Sequence, residues 1–486
     1  MTFLLYRRPE IEDTLMTNCR TIVCIILLST VVTKIEFNVE AAAAPPAYTI
    51  TDLGTLGGTE SFGSGLNASG QVAGASYTIG GAAYHTFLWK PTTPNGASGT
   101  KTDLLTLGGT QSFGNGLNAS GQVAGESFTT GDAATHAFLW KPTTPGGTSG
   151  TMYNLLTLGG TDSHGYGINA AGQITGDSDR TGDLTTHAFL WKPSVPNGTS
   201  GTMHDLGSLG GTESNGGAIN AGGQVAGSSL TTGDATYHAF LWKPTLPNGT
   251  SGTMYDLLTL GGTESFGSTI NTGGQVAGFS YTTGDAAYHA YLWTPTTPNG
   301  TSGTMQDLAT LGGLNSYSYN VGAGGQVVGA SEVAANISSN EHAFLYKTGS
   351  GMVDLNTLID PLSGWELLDA SAINDAGQIT GQGLIGDEYH AYLLTPVPLP
   401  GDFNHDGTVD AADYVVWRKG IGVAPTQPNY DLWRTHFGQA AVSGSSAGAN
   451  AAVPEPTTLV LLMFAAAGWY LQRGRMQRKC REVVSL

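Results

Sequence analysis

Cysteine is almost missing from this chain. The three present, Cys19, Cys24 and Cys480, lie in terminal segments that read as removable, so the remaining chain would hold no disulfide. Charge is also scarce: only 12% of residues are Asp, Glu, Lys or Arg. Basic residues are fewer still, 19 against 37 acidic, and the formal net charge is −18. Such a chain repels phosphate backbones and anionic lipid, which argues against nucleic acid as a partner. There is no Ser-His-Asp grouping and no phosphate-binding glycine loop. Stability must come from packing, helped by a metal if one binds.

What the sequence has in quantity is repetition. A unit of about fifty residues recurs seven times, marked by His-Ala-Phe-Leu-Trp or a close variant. Its histidines are His85, His136, His187, His238, His289, His342 and His390, spaced by 51, 51, 51, 51, 53 and 48 residues. A period this regular means stacked copies of one supersecondary unit, none able to bury its apolar surface alone. The 72 glycines could suggest disorder, but Val, Ile, Phe, Leu and Trp in every unit argue against it.

Within one unit, Phe113–Leu117 reads as a strand of small residues, Asn118–Gly121 as a turn and Gln122–Phe128 as a second strand. Thr130–Asp132 turns again, His136–Trp140 forms a third strand, and Met152–Leu156 a fourth after a Pro- and Gly-rich loop. The Ala-Phe-Leu-Trp run is apolar at successive positions, so that strand is covered on both faces. Four short strands per fifty residues is the pattern of a β-propeller blade. The expected fold is therefore all-β, a seven-bladed β-propeller over residues 47–397. Fourth strands recur six times after the first unit opens, and Tyr48–Leu53 supplies the seventh. The propeller is thus expected to be closed by an N-terminal strand, leaving no open edge.

Repetition also ranks candidate residues. Seven histidines spread one per blade cannot ligate one ion, and a repeated structural hydrogen bond explains them better. The Gly-Asp pairs at Asp132, Asp183, Asp234 and Asp285 read as turn residues. Positions where copies differ are more informative. After Leu-Gly-Gly, the segments expected to be loops carry Glu60 and Phe62, Phe113, Asp162, Glu213, and Glu264 with Phe266. On one face near the axis, these carboxylates and aromatics could bind a cation or a sugar.

Beyond the repeats, Asp402, Asn404, Asp406, Asp410 and Asp413 place oxygen donors at loop positions 1, 3, 5, 9 and 12. Gly407 stands at position 6 and the Thr408 carbonyl at position 7. That is the EF-hand-type layout, whose hard oxygen donors suit Ca²⁺. A helix, Tyr414–Lys419, follows, and Tyr430–Gly438 echoes it.

Both ends carry targeting signals. Arg20, the apolar run Ile22–Val32 and small residues up to Ala44 make residues 1–44 a secretory signal peptide. At the other end, a linker (440–452) leads to Val453-Pro-Glu-Pro456, an apolar stretch Leu459–Leu471 and a basic cluster ending at Arg481. Thirteen helical residues span roughly 20 Å, short of a ~30 Å hydrocarbon core.

Three resemblances follow from these motifs. Leu-Gly-Gly, Asn-x-x-Gly-Gln-[Val/Ile]-x-Gly and His-Ala-[Phe/Tyr]-Leu-Trp, over about residues 50–396, resemble the HAF-type extracellular repeat family, which brings no defined catalytic activity. Residues 401–439 look like a dockerin type I module, which implies Ca²⁺ and a cohesin-like partner on polysaccharide-degrading systems. The second copy here lacks its Asp-rich loop. Residues 453–481 look like the PEP-CTERM sorting signal of bacterial exported proteins. That implies a C-terminal hydrophobic helix in transient or anchored contact with the membrane and processing by an exosortase-type enzyme. The expected protein is exported, displayed or released at the bacterial surface, and non-catalytic. An enzyme or accessory protein of extracellular polysaccharide degradation is the alternative, favoured if paired carboxylates converge in the central channel.

Overall fold

The computed structural model describes residues 47–81, 83–334, 341–403, 409–421 and 423–439. The signal peptide, linker and sorting signal lie outside the described residues, as do Asn404, Asp406 and Thr408 of the calcium loop. The described chain is mostly strand and repeats one four-stranded antiparallel sheet.

The second unit shows why the sequence folds this way. Its strands are Gly108–Leu117, Val123–Thr129, Thr135–Pro142 and Gly150–Asn154, paired in chain order. The Asn118 side chain accepts from the backbone N–H of Ser120 and Gln122, so an Asx-type turn folds the first strand onto the second. Asp132 closes the next turn with φ 54°, a left-handed conformation that Asp tolerates. Its carboxylate also accepts from Thr110 N at 2.7 Å, clipping that turn to the first strand. Ala137-Phe-Leu-Trp140 is buried on both faces, as the unbroken apolar run predicts. Gly150 is needed beside it, because a Cβ there would lie 2.5 Å from the Trp140 ring.

Five such sheets stand alone. The first unit (Gly57–Asp103) and the last are counted together because one parallel bridge, Glu60 to Tyr389, joins them. Tyr48–Asp52 pairs antiparallel with Glu388–Pro396, so the chain's first described strand completes its last sheet.

Apolar packing lies between sheets, not within them. Ala124, Ala137 and Leu139 of the second unit meet Ile174, Phe189 and Trp191 of the third. The pattern recurs, and one cluster unites Val72, Phe87 and Trp89 of the first unit with Ala391 and Leu393 of the last. Polar ties follow the same path. Ser163 Oγ accepts from Ala137 N at 2.9 Å, and Ser61 Oγ accepts from Ala391 N at 2.9 Å across 330 residues. The Asn67 amide donates to Asn118 O, and the same link passes through Asn118, Asn169, Asn220 and Asn271 to Gly322 O. Gly322 has no side chain to continue it, but Asn374 donates to Asn67 O at 3.1 Å.

One expectation needs correction. The segments holding Glu60, Phe62, Phe113, Asp162, Glu213, Glu264 and Phe266 are not loops but parts of ten-residue strands such as Gly57–Leu66. Pairing starts at Gly57 with Thr78 and resumes at Ser61 with Ser76, so residues between them bulge while the strand continues. Gly57, at φ 100°, permits that path. In the last unit the first strand is in two pieces, Trp365–Leu367 and Ala372–Ile373.

The C-terminal module has two helices, α1 (Ala411–Lys419) and α2 (Gln427–His436). Tyr414, Trp417, Tyr430 and Trp433 pack between them with ring centroids 5.1–6.3 Å apart. Among the described residues no helix is long and apolar enough to cross a membrane.

Candidate functional site

The seven histidines have a common task. Nδ1 of each pairs with the last residue of the adjoining fourth strand at 2.7–3.0 Å: Asp103, Asn154, Asp205, Asp256, Asp307, Asp354 and Asp52. The partner of His390 comes from 338 residues away. These are scaffold bonds.

The units diverge at one cross-strand pair. The sixth residue of the first strand faces the fourth of the second: Phe62 with Ala75, Phe113 with Glu126, His164 with Asp177, Asn215 with Ser228, Phe266 with Phe279, and Tyr317 with Ala330. The first-strand members are half-exposed. Directly opposed side chains touch, so each pair is a patch that the unit can vary without disturbing the core.

The patches sort by chemistry. In the first two units Phe62 stacks with Phe113 at 6.4 Å, and Tyr84 lies 5.7 Å and 5.5 Å from them. Tyr77 stacks on Tyr84 at 3.9 Å. A second platform joins Tyr237, Phe266, Phe279, Tyr288 and Tyr317, with centroids 5.0–6.3 Å apart. Between them in chain order stand polar groups: Glu126, His164, Asp177 and Asn215. Asp177 is buried and holds His164 Nδ1 at 3.0 Å with one oxygen, while the other accepts from Asn215 Nδ2 at 3.1 Å. The hydrogen bond to Asp177 raises the His164 pKa. Burial raises that of Glu126, with Asp177 adding to it and His164 opposing.

Each expected carboxylate has a local partner. Glu60 accepts from Tyr84 Oη at 2.5 Å, Glu264 from Tyr288 at 3.0 Å, and Glu213 from Tyr237. Burial, with the Glu213 bond next, pushes the Tyr237 hydroxyl up to about 12. Asp162 accepts from Thr135 N at 2.7 Å. Three carboxylates thus edge the aromatic platforms, and the fourth ties adjacent sheets. Among the described residues no three His, Cys, Asp or Glu side chains are placed to hold a metal. Sequence comparison of the first strands alone missed Tyr84, Glu126, Asp177, Phe279 and Tyr288. The same comparison applied to the second strand singles out Glu126, Asp177 and Phe279, where other copies have Ala or Ser.

First-strand residues of all seven units, from Ser64 through Tyr166 and Tyr319 to Ala372, line a cavity of about 270 Å³. No Asp or Glu is among its lining residues. A larger cavity of about 790 Å³, lined by Tyr48, Leu345, Lys347, Ile373 and Gln378, shares no residue with the variable pairs.

In the C-terminal module, Asp410 and Asp413 form a capping box at the start of α1. Asp413 accepts from Phe403 N at 2.7 Å and from Asp410 N at 2.8 Å, so both flanks of the calcium loop converge on it.

No protein-family model matches the chain, and no curated protein does. Among solved structures, a sialidase of Trypanosoma rangeli matches with 9% identity and a TM-score of 0.38, covering 72% of this chain and 60% of the sialidase. The chain thus spans less than two thirds of that protein. An oligogalacturonate lyase in complex with manganese matches with 10% identity and a TM-score of 0.35, covering 73% of this chain and 97% of the lyase. A hypothetical protein from Leishmania major matches with 11% identity and a TM-score of 0.24.

Proposed function

We propose that this chain is an exported, non-catalytic glycan-binding protein built on a closed seven-bladed β-propeller. Closure is supported by the pairing of Tyr48–Asp52 with Glu388–Pro396, by the Ala391–Ser61 and Asn374–Asn67 links, and by the seven-unit lining of one cavity. The observation that carries the binding reading is the pair of half-exposed aromatic platforms on the variable strand pairs, edged by tyrosine-held carboxylates. Flat rings present an apolar face to the C–H face of a pyranose, and the carboxylates accept from its hydroxyls.

The dockerin-like module is proposed to bind one Ca²⁺ through Asp402, Asn404, Asp406, the Thr408 carbonyl, Asp410 and Asp413. The convergence of Phe403 and Asp410 on Asp413 supports this, because it draws positions 2, 9 and 12 of the loop together. With one such loop the module acts as a stiffened spacer rather than a cohesin-binding surface. The terminal segments send the chain out of the bacterial cytoplasm, and an exosortase-type enzyme processes the sorting signal.

A glycan array with the mature chain tests the binding reading. Wild type should retain a defined set of polysaccharides, and the combined change Phe62→Ala, Phe113→Ala, Phe266→Ala should lose them while circular dichroism shows the β fold kept. Retention by the triple variant would sink the reading.

A further inference from the structure

Glu126 is out of place in its own repeat. Its counterparts are Ala75, Asp177, Ser228, Phe279 and Ala330, so the scaffold needs no carboxylate there. Burial works against its ionised form. The charged groups acting on it are His164 and Asp177, and His164 is already tied to Asp177. Asp177 in turn has both oxygens occupied, by His164 and Asn215. Its backbone belongs to the ladders on both sides, but its carboxylate forms no hydrogen bond with another described residue. Its carboxyl therefore sits in a partly desolvated place, with no cation of the protein hydrogen-bonded to it.

What lies opposite identifies a complement. Glu126 faces Phe113 across the strand pair, and Phe113 stacks with Phe62 and lies beside Tyr84. A ring resting on that platform brings one substituent to the carboxylate. A protonated primary amine satisfies it with up to three donors and one positive charge. A hydroxyl brings no charge, and an acetamide brings one N–H with added bulk.

We propose that the Phe113–Glu126 pair is a subsite for a sugar carrying a free primary amine, an extension that rests on the glycan-binding reading above. Calorimetry on the mature chain would compare a glucosamine hexamer, its N-acetylated counterpart and a neutral glucose hexamer. Wild type should bind the glucosamine hexamer about tenfold more tightly than the other two, the scale of one hydrogen bond to a charged group. Glu126→Gln should erase that preference. Glu126→Ser copies the fourth unit's residue, so it guards against a folding artefact and should behave alike. Leu184→Ser, at an exposed position outside both platforms, should leave the preference intact. Equal binding of all three sugars by wild type, or a preference that survives in both Glu126 variants, overturns the subsite while leaving glycan binding in place. Failure of wild type to bind any of these or any array glycan overturns both.

Discussion

Replacing Leu53 with Ala tests whether the N-terminal strand seals the array. Leu53 is 4% exposed and packs with Val72, Phe87, Trp89, Ala391 and Leu393. Its backbone N–H donates to Ala391 O at 3.0 Å. Leu155 has the same role inside the array: 6% exposed, packed with Ile174, Phe189 and Trp191, donating to Ala137 O at 2.9 Å. The two form a matched pair that differs only in how far along the chain the partners lie. A buried Leu→Ala change costs about 2–5 kcal/mol, so both variants should lose about 3 kcal/mol. With an unfolding entropy near 2.1 cal/mol/K per residue over roughly 350 residues, that is a fall in Tm of about 4 °C for each. Differential scanning calorimetry on the mature chain reads both. If Leu155→Ala falls by this amount while Leu53→Ala stays within about 1 °C of wild type, the closing strand contributes nothing in solution and the ring is open.

Three other perturbations have definite outcomes. Lys101 stands opposite Trp89 where four other units have Met152, Met203, Met254 and Met305, and burial lowers its pKa to about 7 despite nearby Asp52. The unfolded chain then binds more protons between pH 7 and about 10.4, so wild-type Tm should gain with pH over that window relative to Lys101→Met, whose advantage is full below pH 7 and fades by pH 10. Burial pushes the Asp369 carboxyl up to about 6, against hydrogen bonds from Ser371 and Gln382. The folded state therefore holds its proton between pH 4 and 6, and Asp369→Asn should match wild type near pH 4 and exceed its Tm above pH 6. Calorimetric titration with Ca²⁺ should give one site with Kd between about 10⁻⁵ and 10⁻³ M, abolished by joint Asp402→Ala and Asp410→Ala; no heat at millimolar ion would remove calcium from the account.

Much of the fold is legible because seven copies average out accident. The period alone locates the third strand, its burial on both faces, and the histidine bonds, since every unit repeats them. The pairing of residues 48–52 with the last sheet follows from counting fourth strands. The lengths of the first strands are not legible, because paired glycines read as loop while the backbone, bulged at Gly57 and Gly108, continues the strand. The face is half legible. Phe62 and Phe113 announce themselves, but their neighbours Tyr84 and Glu126 lie 22 and 13 residues further on, and only strand register brings them together.

Redundancy also separates two kinds of costly residue. Burial opposes the charged form of both Lys101 and Glu126, and both occupy positions where other units do without an ionisable group. Their surroundings differ. Lys101 donates to Gly54 O, lies 3.8 Å over the Phe87 ring and feels Asp52. Its partners belong to the protein, at the junction where the closing strand enters the first unit. Glu126 has no such hydrogen-bonding partner and faces a half-exposed ring on the variable surface. A scaffold role would predict that Glu126→Ser, copying Ser228, destabilises the fold as Lys101→Met alters its pH dependence. A recognition role predicts the reverse: a Tm equal to or above wild type, and a change only in what is bound.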